Sequence, residues 1–143
     1  MTKALTLEID SAITVERNKA HNYKKNYDYE SAEIHYLKAW DLLPEPKYDW
    51  DVSQILIYRI SDFYLEWKKF ETAIEWAKQV FRTSPPASDG TPHIVFGKIY
   101  FESGNVELAL DNFIKAYEVA GKRAFEGEDP KYLKFYREKQ AAK

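Results

Sequence analysis

The sequence predicts an all-α fold in which three helix-turn-helix repeats and a C-terminal capping helix form a right-handed α-solenoid. Three observations lead to this prediction. Small and aromatic residues recur in the same order three times along the chain. Within each segment, apolar residues are spaced by three and four positions, as they are on one face of a helix. Residues that favour turns or end helices separate the segments.

The third copy of the pattern is the clearest. In a pair of packed helices, small residues let the two backbones approach, and aromatic residues fill the space between them. A glycine followed by asparagine between the two halves of the pattern favours a reversal of the chain. The copy consists of Gly97, Tyr100, Gly104, Ala109, Phe113 and Ala116.

The same order of small and aromatic residues occurs twice more. The first copy consists of Ala20, Tyr23, Tyr29, Ala32, Tyr36 and Ala39. The second consists of Ser61, Tyr64, Phe70, Ala73, Ala77 and Val80. We therefore predict repeats over about 13–46, 54–87 and 90–121, all within a single domain of residues 1–143.

Polar and turn-forming residues predict where the helices begin and end. A hydroxyl or carboxylate side chain before an apolar periodic run is a typical N-terminal cap, and glycine is a typical C-terminal cap. Gly121 is expected to end the third pair, and the second helix of the second pair is expected to reach Phe81. The expected N-terminal caps are Asp10 or Ser11, Asp51 or Ser53, Thr91, and Asp129.

Two further segments have predicted roles. The connection between the first and second pairs carries Tyr48 and Trp50 and is expected to be ordered, because floppy linkers seldom contain large rings. The amphipathic segment 129–143 is predicted to be a helix that covers the third repeat, because the last repeat of a stack must hide its open face.

Composition and charge exclude several classes of protein. Hydrophobic residues make up 45% and charged residues 31% of the chain, which is typical of a folded domain. The net charge of −2 gives no overall attraction to nucleic acid or to anionic membranes. The chain has no cysteine, and its N-terminal residues lack an apolar signal core. We therefore expect a cytoplasmic protein.

The repeated spacings resemble those of the tetratricopeptide repeat (TPR) family over about residues 13–121. The third copy keeps every landmark residue. The first has Tyr27 and the second has Lys68 where a turn glycine is usual in the family. The resemblance implies three repeats of this kind and a protein-binding groove lined by the first helix of each pair.

A looser resemblance concerns two phrases outside the repeats. Residues 42–46, leading to Trp50-Asp51, and residues 125–135 look like segments of small stand-alone bacterial tetratricopeptide proteins. Some relatives of that kind are immunity proteins, which bind and block a toxin delivered between competing bacteria. The resemblance therefore implies a cognate toxin domain as one possible partner.

The sequence contains no convincing catalytic or metal-binding motif. His21, His35 and His93 fall on different predicted helices without a second histidine at ligand spacing. The acidic cluster of Glu126, Glu128 and Asp129 is explained by capping and solvation. We therefore predict no enzyme activity, no metal and no cofactor.

Helical spacing predicts which residues on the first helix of each pair face the groove. The set contains both charged residues and apolar anchors. The predicted groove residues are Arg17, His21, Lys24, Lys25, Tyr58, Arg59, Asp62, Leu65, Glu66, Ile94, Lys98, Phe101 and Glu102.

These observations lead to a functional hypothesis with alternatives. Family members that bind an acidic C-terminal peptide of a chaperone use a clamp of Lys, Asn and Arg at matched groove sites. The corresponding positions here, in chain order, are Arg17, His21, Arg59, Thr91 and Val95, so only the first part is basic. A two-carboxylate clamp is therefore not expected, and a folded protein partner suits the mixed groove better. We predict a non-catalytic protein-binding module, specifically a toxin-neutralising immunity protein. The alternatives are an adaptor or co-chaperone, and an RNA-binding or regulatory protein.

Overall fold

The computed structural model of the chain describes residues 3–142. Met1, Thr2 and Lys143, which the predicted domain includes, lie outside this range, and Lys143 is also the last residue of the predicted capping helix. The described residues form seven α-helices and no sheet. They are α1 Leu7–Lys25, α2 Tyr29–Asp41, α3 Asp51–Glu66, α4 Phe70–Lys78, α5 Thr91–Glu102, α6 Val106–Ala120 and α7 Pro130–Ala141.

The helices pack as three antiparallel pairs, α1 with α2, α3 with α4, and α5 with α6. The small residues of the repeated pattern lie between the paired helices. Ala20, Ala32, Ala73 and Ala109 are all fully buried. The predicted all-α fold of three helical pairs and a capping helix is confirmed.

The turn inside each pair has the same backbone geometry in all three repeats. Tyr27, Lys68 and Gly104 occupy equivalent positions with φ of 62°, 60° and 90°. The next residue in each turn donates its backbone N–H to the carbonyl of the repeat's tyrosine at 2.9 to 3.0 Å. The turn therefore forms even where tyrosine or lysine replaces the usual glycine.

Three predicted N-terminal caps are wrong. Helix α1 begins earlier than expected, and Thr6 rather than Asp10 or Ser11 accepts a backbone hydrogen bond, from Ile9. Thr91 is the first residue of α5, and its N–H donates to the Asp89 carboxylate at 2.9 Å.

Helix α3 has no side-chain cap, because neither Asp51 nor Ser53 accepts a hydrogen bond from its first turn. The Ser53 hydroxyl instead donates to the carbonyl of Lys47 at 2.5 Å. The predicted caps at Asp129 and Gly121 are confirmed. Helix α4 ends at Lys78 rather than Phe81, and a 3-10 helix over Gln79–Thr83 continues it.

The connection between the first two pairs is ordered, as predicted. The Lys47 ammonium donates to the carbonyls of Trp40, Asp41 and Leu43 at 3.2, 3.3 and 2.8 Å. These carbonyls lie at and just beyond the C-terminus of α2, where a cation interacts favourably with the helix dipole. The Trp50 indole donates to the Pro44 carbonyl at 2.8 Å.

Helix α7 covers the third pair, as predicted for a capping helix. Tyr132 is buried, and its ring contacts Phe101 and Phe113 at centroid distances of 5.3 and 5.8 Å. Phe135 contacts the same two rings. Among residues 3–142, no helix has the length and apolar character that crossing a membrane requires.

Candidate functional site

The predicted groove residues of the first two repeats lie on α1 and α3 and are partly accessible. Arg17 on α1 and Arg59 on α3 line the same small pocket, together with Asn18, His21 and Tyr36. We call these five residues the arginine pocket. Its volume is about 200 Å³.

Two guanidinium groups line the arginine pocket. Within residues 3–142, neither Arg17 nor Arg59 has a carboxylate oxygen within 4 Å. Burial raises the pKa of the Tyr36 hydroxyl. The positive charges of Arg59 and Arg17 oppose that increase, and the negative charges of Glu66 and Asp62 add to it. Both guanidinium groups therefore act on the same region, and they offer planar donor groups that match a carboxylate.

The other predicted residues of α1 and α3 are already paired or form a different cleft. Lys24 lies 3.5 Å from the Glu66 carboxylate, and Lys25 is exposed. Leu65 and Glu66 line a cleft of about 570 Å³ that also contacts Lys131 of α7. Among the predicted groove residues, Arg17 and Arg59 are therefore the two cations that share a pocket and form no ion pair with a carboxylate within residues 3–142.

Lys98 does not point freely into a groove. Its ammonium contacts Asp62 at 3.4 Å and Glu128 at 2.9 Å, and the residue is buried. Burial acts to lower the pKa of Lys98, but attraction to Asp62 and Glu128 outweighs it and the pKa is raised. Burial raises the pKa of the Asp62 carboxyl, and the Lys98 charge opposes that increase. This charge cluster ties α3 to the segment that precedes α7.

The predicted groove residues of the third repeat do not line an open groove. Ile94 is buried, and Phe101 packs against α7. Glu102 accepts a hydrogen bond from the Tyr132 hydroxyl at 2.8 Å and lies 2.9 Å from the Lys131 ammonium. The chain that follows α6 returns across α5 and packs against Ile94 and Phe101, while Glu102 stays exposed. Helical spacing alone could not predict this arrangement.

Tyr58 is also less accessible to a binding partner than its predicted groove position suggests. Its hydroxyl oxygen is buried and makes no hydrogen bond to any residue in the range 3–142. Burial, assisted by the negative charge of Asp89, raises the pKa of this hydroxyl. Tyr58 therefore packs mainly against the core rather than presenting a free ring.

The structure also adds residues that the sequence analysis missed. Tyr36 belongs to the second helix of its pair, where the repeat pattern predicts a core position, yet it also lines the arginine pocket. Asn18 adjoins Arg17, and only the three-dimensional shape of the pocket identifies it as a lining residue. A larger groove along α4, described below, was not predicted either.

The histidines are separate in the structure as well. His35 Nδ1 lies 2.6 Å from the Glu16 carboxylate, and the His35 ring stacks on Tyr23. His21 lies in the arginine pocket. Across residues 3–142, no three His, Asp or Glu side chains converge as a metal site would require.

Comparison with known proteins gives one family match and a similar solved structure. Residues 56–86, which cover most of the second helical pair, match the model of the tetratricopeptide repeat. The N-terminal domain of stress-induced protein-1 (STI-1) from C. elegans is similar with a TM-score of 0.65 and 20% identity. The similarity covers 95% of this chain and 99% of that one. The fold is of the tetratricopeptide type.

A tetratricopeptide fold is a non-catalytic scaffold whose members bind other proteins, and the predicted protein-interaction role agrees with it. A search of curated proteins gave no match. The toxin-immunity role therefore rests only on the two phrases noted in the sequence and stays a prediction. The two matches support the alternative of an adaptor or co-chaperone better than the toxin-immunity role.

Proposed function

We propose that this tetratricopeptide-type chain is a protein-interaction module that binds a partner through the face formed by α1 and α3. An acidic side chain or terminal carboxylate of the partner would occupy the arginine pocket. One observation carries the proposal: Arg17 and Arg59 line one pocket and have no carboxylate partner among residues 3–142.

The chemistry of the pocket favours a carboxylate over other groups. Two guanidinium groups can donate several hydrogen bonds to one planar anion, and the Tyr36 hydroxyl and Asn18 amide add neutral polar contacts. The neighbouring cations Lys24 and Lys98 already have acidic partners. An incoming anion would therefore displace no existing ion pair of Arg17 or Arg59 within residues 3–142.

The extent of the pocket limits what it can hold. The third repeat offers Thr91 and Val95 at the corresponding places, and Val95 is buried. The site therefore supports recognition of one carboxylate rather than two. This suits an adaptor that holds an acidic segment of a partner, and it favours the adaptor over the more specific role of a toxin-neutralising immunity protein.

A peptide array tests the proposal. Each acidic peptide would be paired with a version in which its carboxylates, including the C-terminus, are replaced by amides. We expect acidic peptides to bind the wild-type chain, and the double variant Arg17→Ala/Arg59→Ala to bind them about ten-fold or more weakly.

The matched control removes two positive charges elsewhere. Lys115 and Lys122 are exposed and lie outside the pocket, so Lys115→Ala/Lys122→Ala should bind as the wild type does. Equal binding by the pocket variant, or no preference for acidic over amidated peptides, would contradict the proposal. Binding to single-stranded RNA that weakens steeply with salt would instead support the nucleic-acid alternative.

A further inference from the structure

The junction between the first and second helical pairs is filled by aromatic side chains. Tyr29 stacks on Trp67 at a centroid distance of 5.6 Å and contacts Phe63 at 6.1 Å. Tyr36 contacts Phe63 at 4.9 Å. Four rings from α2, α3 and the turn after α3 therefore close this junction.

The equivalent junction between the second and third pairs lacks three of these four rings. When the repeats are aligned on Ser61 and Gly97, Ile99 replaces Phe63 and Ser103 replaces Trp67. Alignment on Ala32 and Ala73 shows that Ala77 replaces Tyr36, while Phe70 keeps the place of Tyr29. These are the residues of the equivalent junction: Phe70, Ala77, Ile99 and Ser103.

The smaller side chains leave an open groove of about 880 Å³ between α4 and the end of α5. We call it the α4 groove. Its apolar surface is formed by aromatic and aliphatic residues of both helices. The residues that define the α4 groove are Phe70, Ile74, Trp76, Ile99 and Tyr100.

A tyrosine hydroxyl in this groove lacks the partner that its counterpart has. In the first junction, the Tyr64 hydroxyl donates to the Glu33 carboxylate at 2.7 Å. In the second, Tyr100 takes the place of Tyr64 and Ile74 takes the place of Glu33. Within residues 3–142, the Tyr100 hydroxyl makes no hydrogen bond, so a polar group of an occupant could reach it.

The charge at the edge of the groove is negative. Glu71 and Glu75 are both exposed and line the groove, and no lysine or arginine among residues 3–142 does. Lys78 contacts Glu75 at 3.2 Å, but both side chains are largely exposed, so solvent screens the pair. The groove therefore combines an apolar, partly aromatic floor with an acidic edge.

We propose that the α4 groove is a second docking site, whose occupant is an amphipathic segment of a partner protein with a large aromatic residue on its apolar side and lysine or arginine beside it. The aromatic residue would fill the space that Trp67 fills in the first junction. The basic residues would face Glu71 and Glu75. This site lies on α4 and α5, apart from the arginine pocket, and does not depend on the proposed function of that pocket.

Selection from a phage-displayed library of peptides of about 16 residues tests the occupant without knowledge of the natural partner. We expect the selected peptides to share an aromatic residue flanked by lysine or arginine. In NMR spectra, their binding should shift the signals of α4 and of residues 99–103. Enrichment of acidic peptides, or the absence of any enriched sequence, would overturn the proposal.

Variants of the groove then test its location. Ser103→Trp restores the ring found at the equivalent position of the first junction and should weaken the binding of the selected peptides about ten-fold or more. Because that variant could also alter the packing, a second variant changes only exposed charges. Glu71→Lys/Glu75→Lys should weaken binding several-fold, and more so at low salt.

The third repeat provides a matched control for the charge reversal. Glu107 and Asp111 occupy the same two positions on α6 that Glu71 and Glu75 occupy on α4, and both are exposed. Glu107→Lys/Asp111→Lys changes the net charge by the same amount and should leave peptide binding unchanged. The variant Arg17→Ala/Arg59→Ala should also keep it. Equal weakening by both charge reversals would contradict a site in the α4 groove.

Discussion

Gly97 of α5 lies directly against the ring of Phe113 of α6. A Cβ atom placed on Gly97 would lie 2.6 Å from Phe113 Cδ1 and still closer to Cε1. Phe113 is fully buried and contacts Phe125, Tyr132 and Phe135, so its ring has little room to move. The close approach of the third helical pair therefore requires glycine at position 97.

Replacing Gly97 with alanine should destabilise the fold. Alanine gains about 1 kcal/mol of helix propensity over glycine, but the clash with Phe113 should cost more, for a net loss of about 1–2 kcal/mol. Chemical denaturation measures this loss as a lower transition midpoint, with an unchanged dependence of the unfolding free energy on denaturant concentration. In the double variant Gly97→Ala/Phe113→Leu, the two effects should be less than additive, because leucine relieves the clash. Strict additivity would show that Phe113 does not cause the loss.

Replacing Tyr27 or Lys68 with glycine should stabilise the chain. Both residues have positive φ, a conformation that costs a non-glycine residue about 1 kcal/mol, and both are exposed. The greater freedom of glycine in the unfolded chain offsets part of the gain, so each variant should gain about 0.5 kcal/mol.

At the equivalent turn position of the third repeat, Gly104 allows the opposite substitution, from glycine to alanine. A Cβ on Gly104 would meet no atom within 4 Å, so Gly104→Ala should lose stability only through its φ of +90°. Thermal or denaturant unfolding of all three variants measures the effect. If Tyr27→Gly and Lys68→Gly stabilise the chain but Gly104→Ala does not destabilise it, the positive φ of this turn position is not the common cause of the effects.

Removing the Lys47 ammonium should destabilise the end of α2. Lys47→Met keeps much of the side-chain volume but loses donors to three helix-terminal carbonyls, at a cost of about 1 kcal/mol or more. Lys78→Met is the control, because Lys78 is exposed and, within residues 3–142, its ammonium donates a hydrogen bond to Glu75 alone. Unfolding free energies and hydrogen exchange near residue 41 measure the effect. Equal losses in the two variants would show that the carbonyl contacts add little.

The contact between Glu16 and His35 predicts a loss of stability in acid. The hydrogen bond with His35 holds the pKa of Glu16 below its ordinary value. The unfolded chain therefore takes up the proton first, and the stabilisation is present above about pH 4.3 and declines as the pH falls through the folded pKa.

The variant Glu16→Gln isolates this contribution. Wild type should be more stable than Glu16→Gln by about 1 kcal/mol near pH 6, and the difference should shrink towards pH 3. Urea unfolding at the two pH values measures it. Glu75→Gln is the control, because the exposed contact of Glu75 with Lys78 should contribute little at either pH. A difference between wild type and Glu16→Gln that is constant with pH would contradict the role of Glu16.

Several features of the fold could be predicted because they depend on nearby residues. The spacing of Ala20, Tyr23 and Ala32 determines which sides of two helices can approach. The same pattern of small and aromatic residues recurs in each repeat. The caps at Asp10 or Ser11, at Asp51 or Ser53 and at Thr91 were predicted wrongly because a cap depends on the competing bonds around it. Ser53 shows this, since its hydroxyl donates to Lys47 rather than capping α3.

The helices, their pairing and the groove positions of Arg17 and Arg59 follow from the sequence, because helical periodicity depends on residues three or four positions apart. Which of the predicted residues stay accessible depends on packing between elements that are distant in sequence. The return of the chain after α6 buries Ile94 and Lys98 and covers Phe101, while Tyr36 joins the arginine pocket from another helix. The α4 groove likewise exists only in three dimensions. Its open volume results from small side chains on α4 and α5 that are distant in sequence and meet when the repeats stack.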